Sequence, residues 1–199
     1  MNQRLEMFSD GVFAIAITLL ILEIKVPPLD AMHSIRDVWY AIGHLWPSFF
    51  ALGLSFIIIL ISWLGHHNLL KMLDNTSSHF QLANGFFLFT VIIVPFPTAF
   101  MAEYLDTAYA QPAIVCYCLV AILHNIGWNL LHRSIMKPQL LVRASSLDHA
   151  KNAARGAKLG FFIYSAIAIL AWWFPYVAII LCLLIWIYWL YLSISIKET

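Results

Sequence analysis

The sequence predicts an all-α integral membrane protein of six transmembrane helices, and three observations predict it. Apolar residues make up 62% of the chain and charged residues only 11%, about half the charge of a soluble domain. The charges are also clumped: no Lys, Arg, Asp or Glu occurs between Asp37 and Lys71, Asp74 and Glu103, Asp106 and Arg133, or Lys158 and Lys197. A spanning helix needs about 20 apolar residues, so the first three intervals hold one each and the last holds two if something breaks it. Pro175 is the break, set in Trp172-Trp173-Phe174-Pro175-Tyr176, the aromatic belt expected at a membrane interface. With the N-terminal segment the count is six, in a single domain covering residues 1–199.

The expected spans are 5–26, 43–70, 81–102, 112–133, 157–174 and 176–196. The first is the least ordinary. Gly11 to Leu22 is free of charge for only twelve residues, too short to cross a bilayer, so Ser9 and Asp10 must enter with it. A cleaved signal peptide fits poorly, because Glu6 and Asp10 interrupt it and Glu23-Ile-Lys25-Val-Pro-Pro lacks the small-residue cleavage pattern. Pro27 ends this helix, since proline cannot continue it. Pro47 falls near the start of the second span, where its missing amide is tolerated. Pro95 and Pro97 must kink or unwind the third, freeing carbonyls that need partners. The loop from Arg133 to Lys158 is basic, with helix-forming stretches expected to lie along the inner surface. Val177 to Leu192 is apolar on every face, which suits a peripheral, lipid-exposed helix.

Orientation follows from the basic residues. With both termini on one side, Arg4, Lys71, Arg133, Lys137, Arg143, Lys151, Arg155, Lys158 and Lys197 share that side, and only Lys25 and Arg36 oppose them. The positive-inside rule then places both termini in the cytoplasm and the chain in the cell membrane as a multi-pass protein. The opposite side carries Glu23, Asp30, Asp37, Glu103 and Asp106 and is acidic. Cys116, Cys118 and Cys182 all lie in apolar spans, so no disulfide framework is expected.

An aspartate inside a span costs at least roughly 2.5–3.5 kcal/mol on insertion scales and must face protein or water rather than lipid. At about 100° per residue, Arg4, Phe8, Gly11, Ile15, Thr18, Leu19 and Leu22 share one stripe of the first helix, with Asp10 on the far side and Ser9 on a flank. Asp10 is therefore better placed as a buried acceptor than as a pore charge. Its candidate donors are Trp63 and His66, three apart on the second span, and Asn84 on the third. The stripe admits two readings that spacing does not separate. One is an ordinary packing seam; the other is a ring of Ile15, Leu19 and Leu22 that closes a pore by dewetting, with Thr18 offering an oxygen to a passing cation.

Two other chemistries are weighed against conduction. Asp10 and His66 suit a proton relay in a secondary transporter, but the small chain lacks the paired half-repeats of such transporters. His66, His67, His124 and His132 invite an intramembrane metal enzyme. No H-E-x-x-H pair is present, and His124 and His132 have no carboxylate companion in sequence. No metal site, catalytic residue or nucleic-acid partner is expected.

The string Arg4-x-x-x-Phe8-Ser9-Asp10-Gly11 resembles the signature of the transmembrane protein 175 family of potassium channels. The match continues through Val-Phe-Ala-Ile-Ala-Ile-Thr-Leu-Leu, then Trp63-Leu-Gly-His66, Asn84 and Pro95-Phe-Pro-Thr98. The resemblance implies a prokaryotic single-repeat form that assembles as a homotetramer and passes K⁺, needing no cofactor beyond the permeant ion. It implies that the first helix lines the pore, that Ile15, Leu19 and Leu22 form the constriction, and that Thr18 is the hydroxyl layer linked to potassium preference. It further implies a structural polar network of Arg4, Ser9, Asp10, Trp63, His66 and Asn84. The chain has no Thr-Val-Gly-Tyr-Gly loop and no re-entrant pore segment, so weak selectivity over sodium is expected. A lone six-helix subunit has one pore-type helix and needs symmetry to make a ring.

Overall fold

In the computed structural model, residues 2–136, 140–141 and 146–195 are described. Lys137, Arg143 and Lys197, used above to orient the chain, lie outside them. The described residues form eight α-helices, with one isolated β-bridge between Leu73 and Leu141. Six helical segments are long and apolar enough to cross a membrane, which makes this a multi-pass membrane protein.

Helix α1 (Asn2–Leu19) continues as a 3₁₀ turn over Leu20–Glu23. The backbone is extended at Ile24, so the helix stops at Glu23 rather than at residue 26; the paired prolines that follow do not admit another turn. Helix α2 (Ile35–Gly43) is a short amphipathic piece with no buried residue, capped by Ser34, whose Oγ accepts from the Asp37 amide at 3.2 Å. The chain bends at His44–Leu45 into α3 (Trp46–Lys71), with Pro47 in its first turn. Helix α4 (Ser78–Ile93) is capped by Ser77, whose Oγ accepts from the Phe80 amide at 3.2 Å.

The third span is broken where its prolines require it. Helix α4 gives way at Val94 to α5 (Pro95–Tyr104). Pro95 cannot donate to the carbonyl one turn back, and the Val91 carbonyl instead accepts from the Val94 amide at 3.1 Å. Thr98 donates its hydroxyl to the Val94 carbonyl at 2.7 Å and meets Ser55 Oγ of α3 at 2.5 Å. The carbonyl freed by Pro95 is thus satisfied from inside the protein, as hydrocarbon demands.

Helix α6 (Ala110–Ser134) is the centre of the fold and packs on α4, α5, α7 and α8. Helix α7 (Ser146–Ala171) starts eleven residues before the expected span at 157. The second half of the expected surface loop is therefore the first three turns of a continuous helix. Its polar start, with Lys151 Nζ 3.4 Å from Asp148 Oδ1, reads as loop by charge but is helical by spacing. Helix α8 (Pro175–Ser195) follows the aromatic corner, whose Trp172, Trp173, Phe174 and Tyr176 are all exposed. Gln111 Nε2 donates to the Trp172 carbonyl and the Tyr176 hydroxyl to the Leu105 carbonyl, tying this corner to the turn between α5 and α6.

Two glycines set helix spacing. A Cβ on Gly127 of α6 would lie 3.2 Å from the Cα of Phe87 on α4, and one on Gly160 of α7 would lie 2.6 Å from Asn125 Nδ2 on α6. Asn129 Nδ2 also crosses to the Ala157 carbonyl of α7 at 3.0 Å. Because the Gly127 contact is with backbone, no rotamer change relieves it. Gly127→Ala should lower thermal stability in detergent by about 1–3 kcal/mol of overpacking, only partly offset by the roughly 1 kcal/mol that alanine gains in helix propensity. An unchanged melting temperature would refute the close approach of α4 and α6.

Candidate functional site

Among the described residues, helix α1 packs chiefly on α3 and α4. The face turned toward them carries Ser9, Phe13, Ala16 and Leu20, all buried. The opposite face carries the stripe: Ile15 is 62% exposed, Leu19 43% and Leu22 67%, with Phe8, Gly11 and Thr18 also exposed. Leu22 belongs to the 3₁₀ turn rather than to the α-helix, so the last step of the stripe is tighter than a 100° period assumes. Thr18 donates its hydroxyl back to its own helix, with the Ala14 and Ile15 carbonyls at 2.8 and 2.9 Å. Its donor is committed, while its oxygen lone pairs remain on the exposed face.

The polar residues behind the stripe divide into two chains. Trp63 Nε1 donates to Asp10 Oδ1 at 2.9 Å. His66 does not reach Asp10: its Nε2 lies 2.6 Å from Asn84 Oδ1, and Asn84 Nδ2 donates to Ser9 Oγ at 3.2 Å. With the Asn84 amide so oriented, its oxygen accepts, which assigns the His66 proton to Nε2. Helices α1, α3 and α4 are therefore joined by Asp10–Trp63 on one side and Ser9–Asn84–His66 on the other. Arg4 stands apart: it is exposed, and among the described residues no hydrogen bond or ion pair joins it to this network. Its place in the expected network came from the motif alone, and it lies on the stripe side, away from α3.

Sequence reasoning missed two further connections. Glu6 Oε1 lies 3.2 Å from His67 Nδ1. A signal for it was present: one turn back from Asp10 is Glu6, and one turn on from Trp63 is His67, so an antiparallel pair that joins the first two also joins the second. The other is His124 of α6, buried with Ser62 Oγ 2.7 Å from Nε2 and Thr90 Oγ1 2.8 Å from Nδ1. It ties α3, α4 and α6 together. Phe87 lies between the two histidines, parallel to His66 at 5.7 Å and tilted to His124 at 5.0 Å, with Trp128 against it at 4.6 Å. The four histidines named above do not converge: His132 Nδ1 is on the Trp128 carbonyl at 2.8 Å. Among the described residues no three His, Cys, Asp or Glu are placed to hold a metal ion.

At the end of α1 a cavity of about 610 Å³ opens between the 3₁₀ turn, the start of α3 and α5, lined by Glu23, Lys25, His44, Phe100, Glu103 and Tyr104 among others. Two of the acidic residues assigned to one side of the membrane thus meet beside the last residue of the stripe.

Asp10 is half-buried and Trp63 exposed, so removing either partner costs a hydrogen bond rather than a full desolvation penalty. Asp10→Ala and Trp63→Phe should each destabilise the detergent-solubilised protein by about 0.5–1.5 kcal/mol. The double variant should cost clearly less than their sum. Additive losses in a double-mutant cycle would show that the two side chains do not interact.

Comparison with known proteins agrees with this geometry. Residues 4–95, which contain α1, the polar network and the start of α5, match the family model described as endosomal/lysosomal potassium channel TMEM175. A potassium channel of Chamaesiphon minutus is 44% identical over 130 residues, covering 63% of this chain and 64% of that protein. A potassium channel of Streptomyces collinus is 41% identical over 129 residues, covering 64% and 61%. The matched segments therefore span slightly less than two thirds of these relatives' own lengths. A crystal structure of a lysosomal potassium-selective channel TMEM175 homolog from Chamaesiphon minutus superposes with a TM-score of 0.85 at 33% identity, covering 96% of this chain and 97% of that one. With its fold, its signature and its paired helices matched over nearly the whole length of that structure, the chain belongs to the TMEM175 family.

Proposed function

We propose that four copies of this chain form a potassium channel in the cell membrane, with both termini in the cytoplasm, conducting passively through a central pore lined by α1. The single observation that carries the reading is the split character of α1. One face is pinned to α3 and α4 by polar bonds, while Ile15, Leu19 and Leu22 on the other stand free of their own subunit. Four such faces turned to a common axis make a ring narrow and apolar enough to hold back water and ions by dewetting. Thr18, with its donor already used, adds a layer of oxygens to that ring, and these favour K⁺ over Na⁺ weakly because no carbonyl filter is available. Glu23 and Glu103 at the end of α1 raise the local cation concentration. The names of the relatives, which are potassium channels, support the choice of ion. The proposal includes no catalysis and no cofactor.

A transporter that relays protons between Asp10 and His66 is less well supported, because each is bonded to a different partner. The test is a K⁺-versus-Na⁺ flux assay on purified protein in liposomes, run beside a cross-linking count of subunits. Passive K⁺ flux from a particle of four copies is expected. A single-copy particle, or substrate-dependent proton uptake without K⁺ flux, would overturn the proposal.

Two substitutions probe the ring. Ile15→Asn should raise basal K⁺ leak several-fold by wetting the constriction, and an unchanged leak would remove Ile15 from the pore. Thr18→Val should bring the K⁺/Na⁺ permeability ratio toward one; equal reversal potentials before and after would refute that role for the hydroxyl.

A further inference from the structure

The junction of α6, α7 and α8 holds polar groups that conduction does not use. Cys118 of α6 and Cys182 of α8 face one another with their sulfurs 4.0 Å apart, and both are fully buried. Among the described residues, three buried side-chain polar atoms lack a hydrogen-bond partner, and all three are here or beside it: the hydroxyls of Tyr117 and Tyr164 and the indole nitrogen of Trp186. Tyr117 directly precedes Cys118 on α6, and Trp186 lies one turn on from Cys182 on α8. Ser55 is engaged with Thr98 and makes no hydrogen bond of ordinary geometry to Tyr117. Tyr164 in turn stacks on Trp186 at 5.0 Å. Each orphan carries an O–H or N–H donor, so the site is rich in donors and poor in acceptors. Buried groups of this type call for an occupant.

The geometry points to a two-coordinate site for a soft monovalent cation of the Cu(I)/Ag(I) class, held between Cys118 and Cys182. Thiolate sulfur selects soft ions, and a pair of ligands with no third His, Cys, Asp or Glu within reach among the described residues suits a linear site. With metal–sulfur bonds near the roughly 2.3 Å of zinc thiolates, a linear S–M–S unit spans about 4.6 Å. That is about half an ångström more than the present separation, within reach of side-chain rotation. A disulfide would need the sulfurs to close by about 2 Å. Binding replaces two S–H protons, released to solvent, by one M⁺, leaving a bis-thiolate of net charge −1. The unpartnered hydroxyl of Tyr117, the residue next to Cys118, is the nearest donor in sequence for such an anion. The bridge ties α8 to α6, and it is independent of the channel reading.

Silver(I) is the probe, because it is redox-inert. Full-length reduced protein in detergent, loaded in chloride-free buffer and passed over a desalting column with a weak thioether competitor, should retain one Ag⁺ per chain. Cys116→Ser should retain it equally. Cys118→Ser and Cys182→Ala should each lose it, and Tyr117→Phe should release it several-fold faster. Silver-edge absorption spectroscopy of the unsubstituted protein should show two sulfur neighbours, a readout that does not depend on the variants folding. No retained ion, one sulfur neighbour, or retention that follows Cys116 would overturn the site.

Discussion

A carboxylate in the middle of a membrane helix decides how that helix can be turned. Asp10 must face protein, and it finds the indole of Trp63; one turn earlier, Glu6 meets His67 in the same antiparallel register. On the adjacent flank Ser9 receives Asn84, which is held by His66. These contacts fix α1 in rotation about its own axis and in register along α3. The magnitudes indicate what they are for. Hydrogen bonds between membrane helices are worth about 0.6 kcal/mol on average, against at least roughly 2.5 kcal/mol to place the aspartate there. The network therefore does not recover the cost of its own charge, and its value lies in specifying one geometry.

The same economy holds deeper in the fold. Ser62 and Thr90 reach His124 from α3 and α4, and each also lies on a carbonyl of its own helix, at 2.7 and 2.6 Å. Thr98 does likewise at the proline break, where its hydroxyl both closes on Val94 and meets Ser55. In hydrocarbon these hydroxyls have no water to turn to, so Thr98 spends its donor on Val94 and offers its lone pairs to Ser55, while the single N–H of a neutral His124 goes to one of Ser62 and Thr90 and its bare nitrogen accepts from the other. Phe87, enclosed by His66, His124 and Trp128, fills the space between the two polar chains. The platform against which α1 is held is thus built from α3, α4 and α6 together.

Much of this was legible in the sequence because membrane helices obey two simple constraints, length and charge exclusion. The charge gaps located the spans, the prolines located the break at Val94 and put the end of the first helix three residues beyond Glu23, where it stops, and the helical period put Asp10 opposite Ile15. What was not legible depended on pairing between helices. Spacing offered Trp63, His66 and Asn84 as donors to Asp10, but only the packing of α4 against α1 shows that His66 is taken by Asn84. His124 gave no signal, since its partners Ser62 and Thr90 are 62 and 34 residues away in the chain. The early start of α7 was hidden for a different reason. Its first turns carry Asp148, Lys151 and Arg155, and charge density marks the membrane boundary of a helix without marking the end of the helix itself.

Exposed apolar surface alone does not distinguish a pore face from a lipid face, as α8 demonstrates: Ile180, Leu184, Ile187 and Tyr191 are about as exposed as the stripe on α1. The difference lies on the reverse side of each helix. A helix whose outer face meets only lipid tolerates any rotation its packing allows, because hydrocarbon is the same in every direction, and α8 meets α3, α6 and α7 through mostly apolar side chains. A helix whose outer face must present particular side chains to an axis tolerates none. Turning α1 by one residue, about 100°, would bring Ala16 and Leu20 where Ile15 and Leu19 now stand and would pull Asp10 away from Trp63. The polar anchor and the apolar stripe are therefore one device, and a costly aspartate within the span is explained if the face opposite it has work to do that depends on angle.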